Sequence, residues 1–407
     1  MTARPDLVVR GGRGADGEGG PPRLADVAIG GGRILQVGEV AADDVPVLDA
    51  AGALVAPGFI DIHSHSDWTL LVDPRAVSAL HQGVTTEVLG NCGYGCFPLH
   101  RPALAGNAIY GFDESLPLTW RDAPGYLERL EQARPAINVL TLVPNGQLRL
   151  SALGMSDRPS DRAALGGMCR ELEAGLEAGA WGYSTGLEYP AEAACSEEEI
   201  VALCRVAARH GALYATHTRD RDAGALEAVQ EALHTAAEAG VRLQISHLLP
   251  RSGRAIGEAC VAAVERARTA GQDVAFDMHT RLFGFTYLAA ALPSWAQSGG
   301  AAALRAHLAS PDDRRRMASF RSILSAGADW SRVVLLDNEL WPDYGRRDIA
   351  AIAAERGQEP FECVCDLLQP AVGRLQSLMV MIQAYSPAQQ HDVFAHPDCM
   401  PASDATT

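Results

Sequence analysis

Hydrophobic and polar positions change their rhythm once along the chain, near residue 58. Before that point, Asp6-Leu7-Val8-Val9-Arg10, Ala25-Asp26-Val27-Ala28-Ile29 and Arg33-Ile34-Leu35-Gln36-Val37 are short alternating runs parted by glycine clusters. Such alternation predicts a small antiparallel β unit over 1–57, with too few strands to close a sandwich by itself. Beyond residue 58, short apolar runs alternate with helical stretches. Strands are predicted at 59–62, 84–90, 138–143, 180–185, 213–217, 241–247, 273–277 and 399–404. Between them, Ser196 caps a helix, with Glu199 closing a capping box, that runs to Gly211; two more helices, at about 223–239 and 256–270, stop at Gly240 and Gly271. Repeated β–α units with short apolar strands imply a parallel sheet covered on both faces, and eight of them imply a closed (β/α)8 barrel of the TIM type. This α/β barrel is expected over 58–407, with an insertion or lid at about 282–398. No dinucleotide glycine fingerprint follows any strand, which removes the main argument for a doubly wound oxidoreductase.

Composition narrows the partners. A formal net charge of -16 argues against nucleic acid and against an anionic membrane surface. No uninterrupted apolar run reaches the ~18 residues of a membrane span, and the N-terminus carries no signal-like apolar stretch. The nine cysteines are irregularly spaced, which predicts free thiols in a reducing cytoplasm. All 34 basic residues are arginine.

The chemistry gathers where the predicted strands end, the face at which such barrels do their catalysis. The first strand leads into His63-Ser64-His65, the second into Asn91-Cys92-Gly93, the fifth ends at His217, the sixth at His247 and the eighth at Asp404. On a strand, positions i and i+2 share a face, so His63 and His65 aim at one point. Four histidines, a cysteine and an aspartate at matching topological positions predict a shared metal centre.

These motifs resemble a known family. Gly58-Phe59-Ile60-Asp61-Ile62-His63-Ser64-His65 is similar to the opening of the amidohydrolase superfamily of metal-dependent hydrolases. Gly83-Val84-Thr85-Thr86, Gly90-Asn91-Cys92-Gly93, Ser184-Thr185-Gly186-Leu187-Glu188-Tyr189-Pro190, Tyr214-Ala215-Thr216-His217 and Gln244-Ile245-Ser246-His247-Leu248 resemble its N-acyl-D-amino-acid deacylase (D-aminoacylase) branch. The resemblance implies a tight zinc at Cys92, His217 and His247, and a second, weaker position at His63 and His65 with Cys92 as bridge. Many relatives bridge two metals with a carboxylated lysine; a chain without lysine cannot, and a thiolate is a chemically sensible replacement. It further implies hydrolysis of a small N-acyl-D-amino acid to a carboxylate and a free D-amino acid, with Asp404 as general base and then acid.

Several positions depart from the family pattern. Leu249 stands where a substrate-contacting lysine is usual, His279 where a tyrosine binds the substrate carboxylate, and Asn145 where a histidine follows the third strand. Arg281 or Arg251 is then a candidate replacement cation, and Tyr189, His279 and Arg281 are the candidate substrate contacts. Phe283, Phe285, Tyr287, Leu288, Leu292 and Trp295 either line an acyl pocket or form a satellite core. The chain stops at Thr407, three residues past Asp404, whereas the family continues. This reads as a truncated product or one completed by a second chain, with exposed strand surface favouring association. Two other functions stay open: a hydantoinase-like hydrolase of cyclic amides, and a catalytically inert metal-binding protein.

Overall fold

The computed structural model describes residues 4–41, 44–112, 115–251, 253–324 and 329–406. The chain divides into two compact units, Met1–Phe59 and Ile60–Thr407. The first is a five-stranded sheet of β1 (Leu7–Gly14), β2 (Arg23–Gly30), β3 (Arg33–Gly38), β4 (Val47–Asp49) and β5 (Leu54–Val55). β1, β2 and β3 form the expected antiparallel meander, but β4 and β5 both pair with β1 in parallel. The sheet is therefore mixed rather than antiparallel, because the chain crosses over after β3 instead of turning back. Leu24, Ile34, Val37, Leu48 and Leu54 stay exposed on it.

The second unit is built on an eight-stranded parallel barrel. Its strands are β6 (Phe59–Asp61), β7 (Val84–Leu89), β8 (Asn138–Pro144), β9 (Gly182–Gly186), β10 (Leu213–His217), β11 (Arg242–Ile245) and β12 (Val274–His279), followed after an insertion by the eighth. The insertion carries β13 (Phe283–Tyr287), β14 (Val333–Leu335), β15 (Arg347–Asp348) and β16 (Met379–Gln383) in an antiparallel sheet of order β13-β16-β14-β15. The eighth barrel strand is β17 (Cys399–Ala402), which pairs with β12. The ring is drawn together beyond β6 and β17 by a parallel bridge between Ser64 and Ala405, with His65 N donating to Ala405 O (2.8 Å) and Asp404 N to His63 O (2.8 Å).

Local sequence explains the elements, with one exception. The helix Glu197–Arg209 starts where Ser196 accepts a hydrogen bond from Glu199 N. The capping box expected there is only half made: the Glu199 carboxylate takes the buried Arg149 guanidinium and Ser160 N instead. A buried arginine needs a counter-ion more than an exposed helix end needs its second cap hydrogen bond. The barrel core runs from Trp68 and Leu89 through Tyr183, Tyr214 and Phe276. A separate apolar core holds Leu288, Leu292 and the insertion's helices, with Trp295 packed against it. Among the described residues no helix is long and apolar enough to cross a membrane, and all nine cysteines are free thiols.

Candidate metal centre

The ends of the barrel strands bring six of the expected residues into one buried cluster. β6 stops at Asp61, so His63 and His65 sit just past the strand rather than on it; the bridge from Ser64 to Ala405 holds that segment extended and keeps both rings inward. Cys92 lies in the short turn Asn91–Gly93 after β7. The turn is possible because Gly90 (φ +77°) precedes it and Gly93 (φ +71°) ends it; a Cβ on Gly90 would stand 2.3 Å from Leu142 O. Cys92, His247 and Asp404 are themselves left-handed, with φ of 53°, 36° and 48°. Three strained non-glycine residues at one cluster are held there by the surrounding barrel.

The donor atoms form two overlapping triads. Cys92 Sγ lies 3.2 Å from His63 Nε2 and 3.5 Å from His247 Nε2. Asp404 Oδ1 lies 3.4 Å from His63 Nε2 and 3.2 Å from His65 Nε2. Within each of the sets His63–Cys92–His247 and His63–His65–Asp404, one ligand atom per residue falls within 4.8 Å of the others. Zinc–sulfur and zinc–nitrogen bonds of ordinary length at a tetrahedral angle put S and N about 3.6 Å apart, so the observed spacings suit a small divalent ion. The structure thus groups His63 with Cys92 and His247, and the expected His217 lies beside Cys92 as well. His217 Nε2 also donates to Glu188 Oε2 at 2.8 Å, and its ring sits 4.6 Å from that of His247.

The charge pattern suits the same ion. Burial opposes a thiolate at Cys92, but the neighbouring His63, His217 and His65 overcome it and hold the thiol well below its ordinary range. His247 is pushed well down by burial, by Arg221 and by the other imidazoles, so it stands neutral with a lone pair to offer. Despite burial, Asp404 and Cys92 raise His65 to about 9. Despite the same penalty, hydrogen bonding from His65 and the charges of His63 and His279 hold the Asp404 carboxyl well below the usual carboxylate range. Nδ1 of His65, His217, His247 and His279 is buried without a hydrogen-bond partner among the described residues. A thiolate among imidazoles with open nitrogens is a donor set that soft to borderline divalent ions take.

Asp277, near the end of β12, arranges the cluster and was not singled out from the sequence. Its Oδ1 meets His63 Nδ1 at 3.1 Å and accepts from His247 N at 2.8 Å, while its Oδ2 accepts from Gln244 Nε2 at 3.0 Å. A proton held on His63 Nδ1 leaves Nε2 free as a ligand. The signal was present as a lone acid between Phe276 and Met278 in an apolar strand.

The remaining expected residues lie in or near the wall of a small cavity over the cluster. Tyr189, His279 and Asp404 line it, with the Tyr189 ring 4.8 Å from His217. Burial and the charges of Arg221 and Arg281, working against Asp404, bring His279 down to about 4, so it is uncharged at neutral pH. Arg281 is engaged with Asp404, donating to its carbonyl oxygen and standing 3.5 Å from its Oδ2, and lies over the Phe285 ring. Arg251 faces the cavity but is committed to two carboxylates, Glu188 and Asp222. Asn145 is buried elsewhere, donating to Glu192 Oε2 at 2.7 Å. Of the aromatic and aliphatic residues in the insertion, Phe285 reaches the cavity wall, Tyr287 packs beside Cys92 and Tyr94, and Leu288 and Leu292 belong to the separate core.

Comparison with known proteins gives three kinds of likeness. The family model described as the amidohydrolase family matches residues 46–376. An N-acyl-D-glutamate deacylase of Alcaligenes xylosoxydans xylosoxydans is 39% identical over 284 residues, which is 69% of this chain and 57% of that protein. An N-acyl-D-aspartate deacylase of the same organism is 32% identical over 99% of this chain and 73% of its own length. Among solved structures, the N-acyl-D-glutamate deacylase from Bordetella bronchiseptica, complexed with zinc and a phosphonate inhibitor, superposes with a TM-score of 0.80 at 30% identity, covering 98% of this chain and 76% of that one.

Proposed function

Because the chain belongs to the amidohydrolase family, we propose that it hydrolyses the amide bond of N-acyl-D-amino acids, releasing a carboxylate and a free D-amino acid, with zinc as its cofactor. The observation that carries this reading is the Asp404 carboxylate beside His63 and His65, grouped through His63 with Cys92 and His247, where His65, His247 and Asp404 line one cavity. The names of the similar deacylases support the substrate class, and the zinc in the Bordetella structure supports the metal.

In this reading Cys92 and His247 hold the tight ion, with His63 and His217 on either side of them, and His65 with Asp404 serves a second, weaker position. Such an ion, when bound, supplies Lewis acidity toward an amide carbonyl and acidifies a water molecule. Asp404 takes a proton on its carboxylate and returns it to the leaving nitrogen. Arg281 fixes Asp404 through its backbone carbonyl, which keeps the carboxylate turned to the histidines. Asp277 holds the His63 tautomer, and Glu188 orients His217. Tyr189, Tyr110 and Phe285 wall the site, limiting water around the reacting groups.

The test combines metal analysis with release of free amine from a panel of N-acetyl D- and L-amino acids. We expect bound zinc, turnover of D-substrates, and a fall in kcat of about 10²–10⁴-fold in Asp404→Asn with the fold intact by circular dichroism. A preference for L-substrates, or a purified protein that takes up no metal, would overturn the reading.

A further inference from the structure

Three arginines are buried among the described residues: Arg149, Arg221 and Arg251. Arg149 meets Glu199, and Arg251 meets Glu188 and Asp222. Arg221 has no such partner: no carboxylate among the described residues lies within 4 Å of its guanidinium. Only Nη2 is used, donating to three neutral oxygens, His247 O (2.6 Å), Leu249 O (3.1 Å) and the Tyr385 hydroxyl. Among the described residues nothing accepts from Nε or Nη1, yet the residue is only 6% exposed. A guanidinium cannot shed its proton, and burying it without a counter-ion is costly. A charge-assisted hydrogen bond from a guanidinium nitrogen is also what a carboxylate oxygen takes.

Its position narrows the class of anion that it suits. Arg221 follows β10 by four residues and lines the same cavity as His65, His217, His247 and Asp404. The other charges there are spent: Arg251 on its two acids, and Asp404 against the histidines. The lining also includes the apolar Phe285, Ile323, Ile382 and Ala384. We infer that Arg221 receives the carboxylate of the substrate through Nη1, and that the cavity accommodates only one carboxylate, selecting N-acyl-D-amino acids with uncharged, apolar side chains over the acidic ones. This rests on the deacylase reading above and separates this chain from the similar proteins named for D-glutamate and D-aspartate. It also accounts for a site that has Leu249 buried beside the arginine and no lysine anywhere in the chain.

The experiment compares the zinc-loaded wild type with Arg221→Met and Arg221→Lys on four compounds: N-acetyl-D-leucine, N-acetyl-D-leucinamide, N-acetyl-D-glutamate and N-acetyl-D-aspartate. For the wild type we expect kcat/KM on N-acetyl-D-leucine at least about tenfold above that on either acidic substrate. Arg221→Met should raise KM for N-acetyl-D-leucine about 10- to 100-fold with a smaller change in kcat, leave the uncharged amide within about twofold, and Arg221→Lys should recover part of the loss. A merely structural arginine would lower turnover of the acid and the amide alike, which would overturn the assignment. So would a wild type that prefers the glutamate or aspartate substrate, and that result needs no folded variant. Turnover of acidic substrates alone sinks this inference and spares the deacylase reading; no turnover of any N-acyl-D-amino acid sinks both.

Discussion

At the scale of single residues, the cluster is an arrangement of buried charges, each stabilised by a neighbour from a distant part of the chain. Cys92, His247 and Asp404 adopt left-handed backbone angles, each at a strain of roughly 1–3 kcal/mol. Glu192 illustrates the same economy outside the metal centre. Burial raises its carboxyl to about 7 from an ordinary 4.5, while hydrogen bonds from Asn145 and from Gly186 N pull the other way. The folded chain therefore holds a proton that the unfolded chain releases above about 4.5. Its contribution to stability is complete below about pH 4.5 and is lost as pH rises through about 7. Glu192→Gln should flatten this decline, by up to one proton's worth of slope, in urea midpoints measured between pH 5 and pH 8 on protein of constant metal content.

At the scale of elements, what positions the thiol is the fit of one turn against one strand end. The turn Asn91–Gly93 packs on the end of β9, where Gly186 sits so close that a Cβ would meet Cys92 O at 2.0 Å. Gly186→Ala should push the turn outward, lowering stability by about 1–3 kcal/mol and weakening zinc affinity. Gly166→Ala, in the helix Arg162–Glu177 with an added Cβ 3.7 Å from the nearest atom, should be neutral or stabilising by up to ~1 kcal/mol. Thermal melts and competitive zinc titration distinguish the two. Sequence patterning reads such elements unevenly. The helix after Ser196 was legible because capping and apolar spacing are local. The fate of Glu199 was not, because Arg149 reaches it from 50 residues away. The pairing of β4 and β5 with β1 was equally hidden, since short alternating strands look alike whether parallel or antiparallel.

At the scale of the molecule, eight strands contribute their ends to one mouth, so an ion held as proposed would tie together segments from His63 to Asp404. Ligands that bind only the folded state stabilise it by mass action, about 2.7 kcal/mol at a hundredfold excess over Kd. Dialysis against a chelator should therefore abolish activity and lower Tm, and added zinc should restore both with a Tm that rises with zinc concentration. Differential scanning calorimetry checks this; an unchanged Tm on full removal of zinc would argue against a metal linking the strands. The overall charge of -16 repels anionic substrates from the surface, which places the burden of attraction on the positive charge inside the cavity.

Patterns with short range were determined by the sequence itself: the succession of apolar runs that make barrel strands, and the histidines, cysteine and aspartate just beyond their ends. Those positions follow from periodicity and topology, because every parallel strand delivers its C-terminal end to the same face. What only the tertiary structure decided is how those groups pair. Asp277 claims His63, Glu188 claims His217 and Arg251, and Arg221 is left without a carboxylate partner among the described residues, beside the cavity. Pairing depends on distances of a few ångströms between residues far apart in the chain, and burial makes each of those distances count, since a charge removed from water is held only by the partner that the fold brings to it.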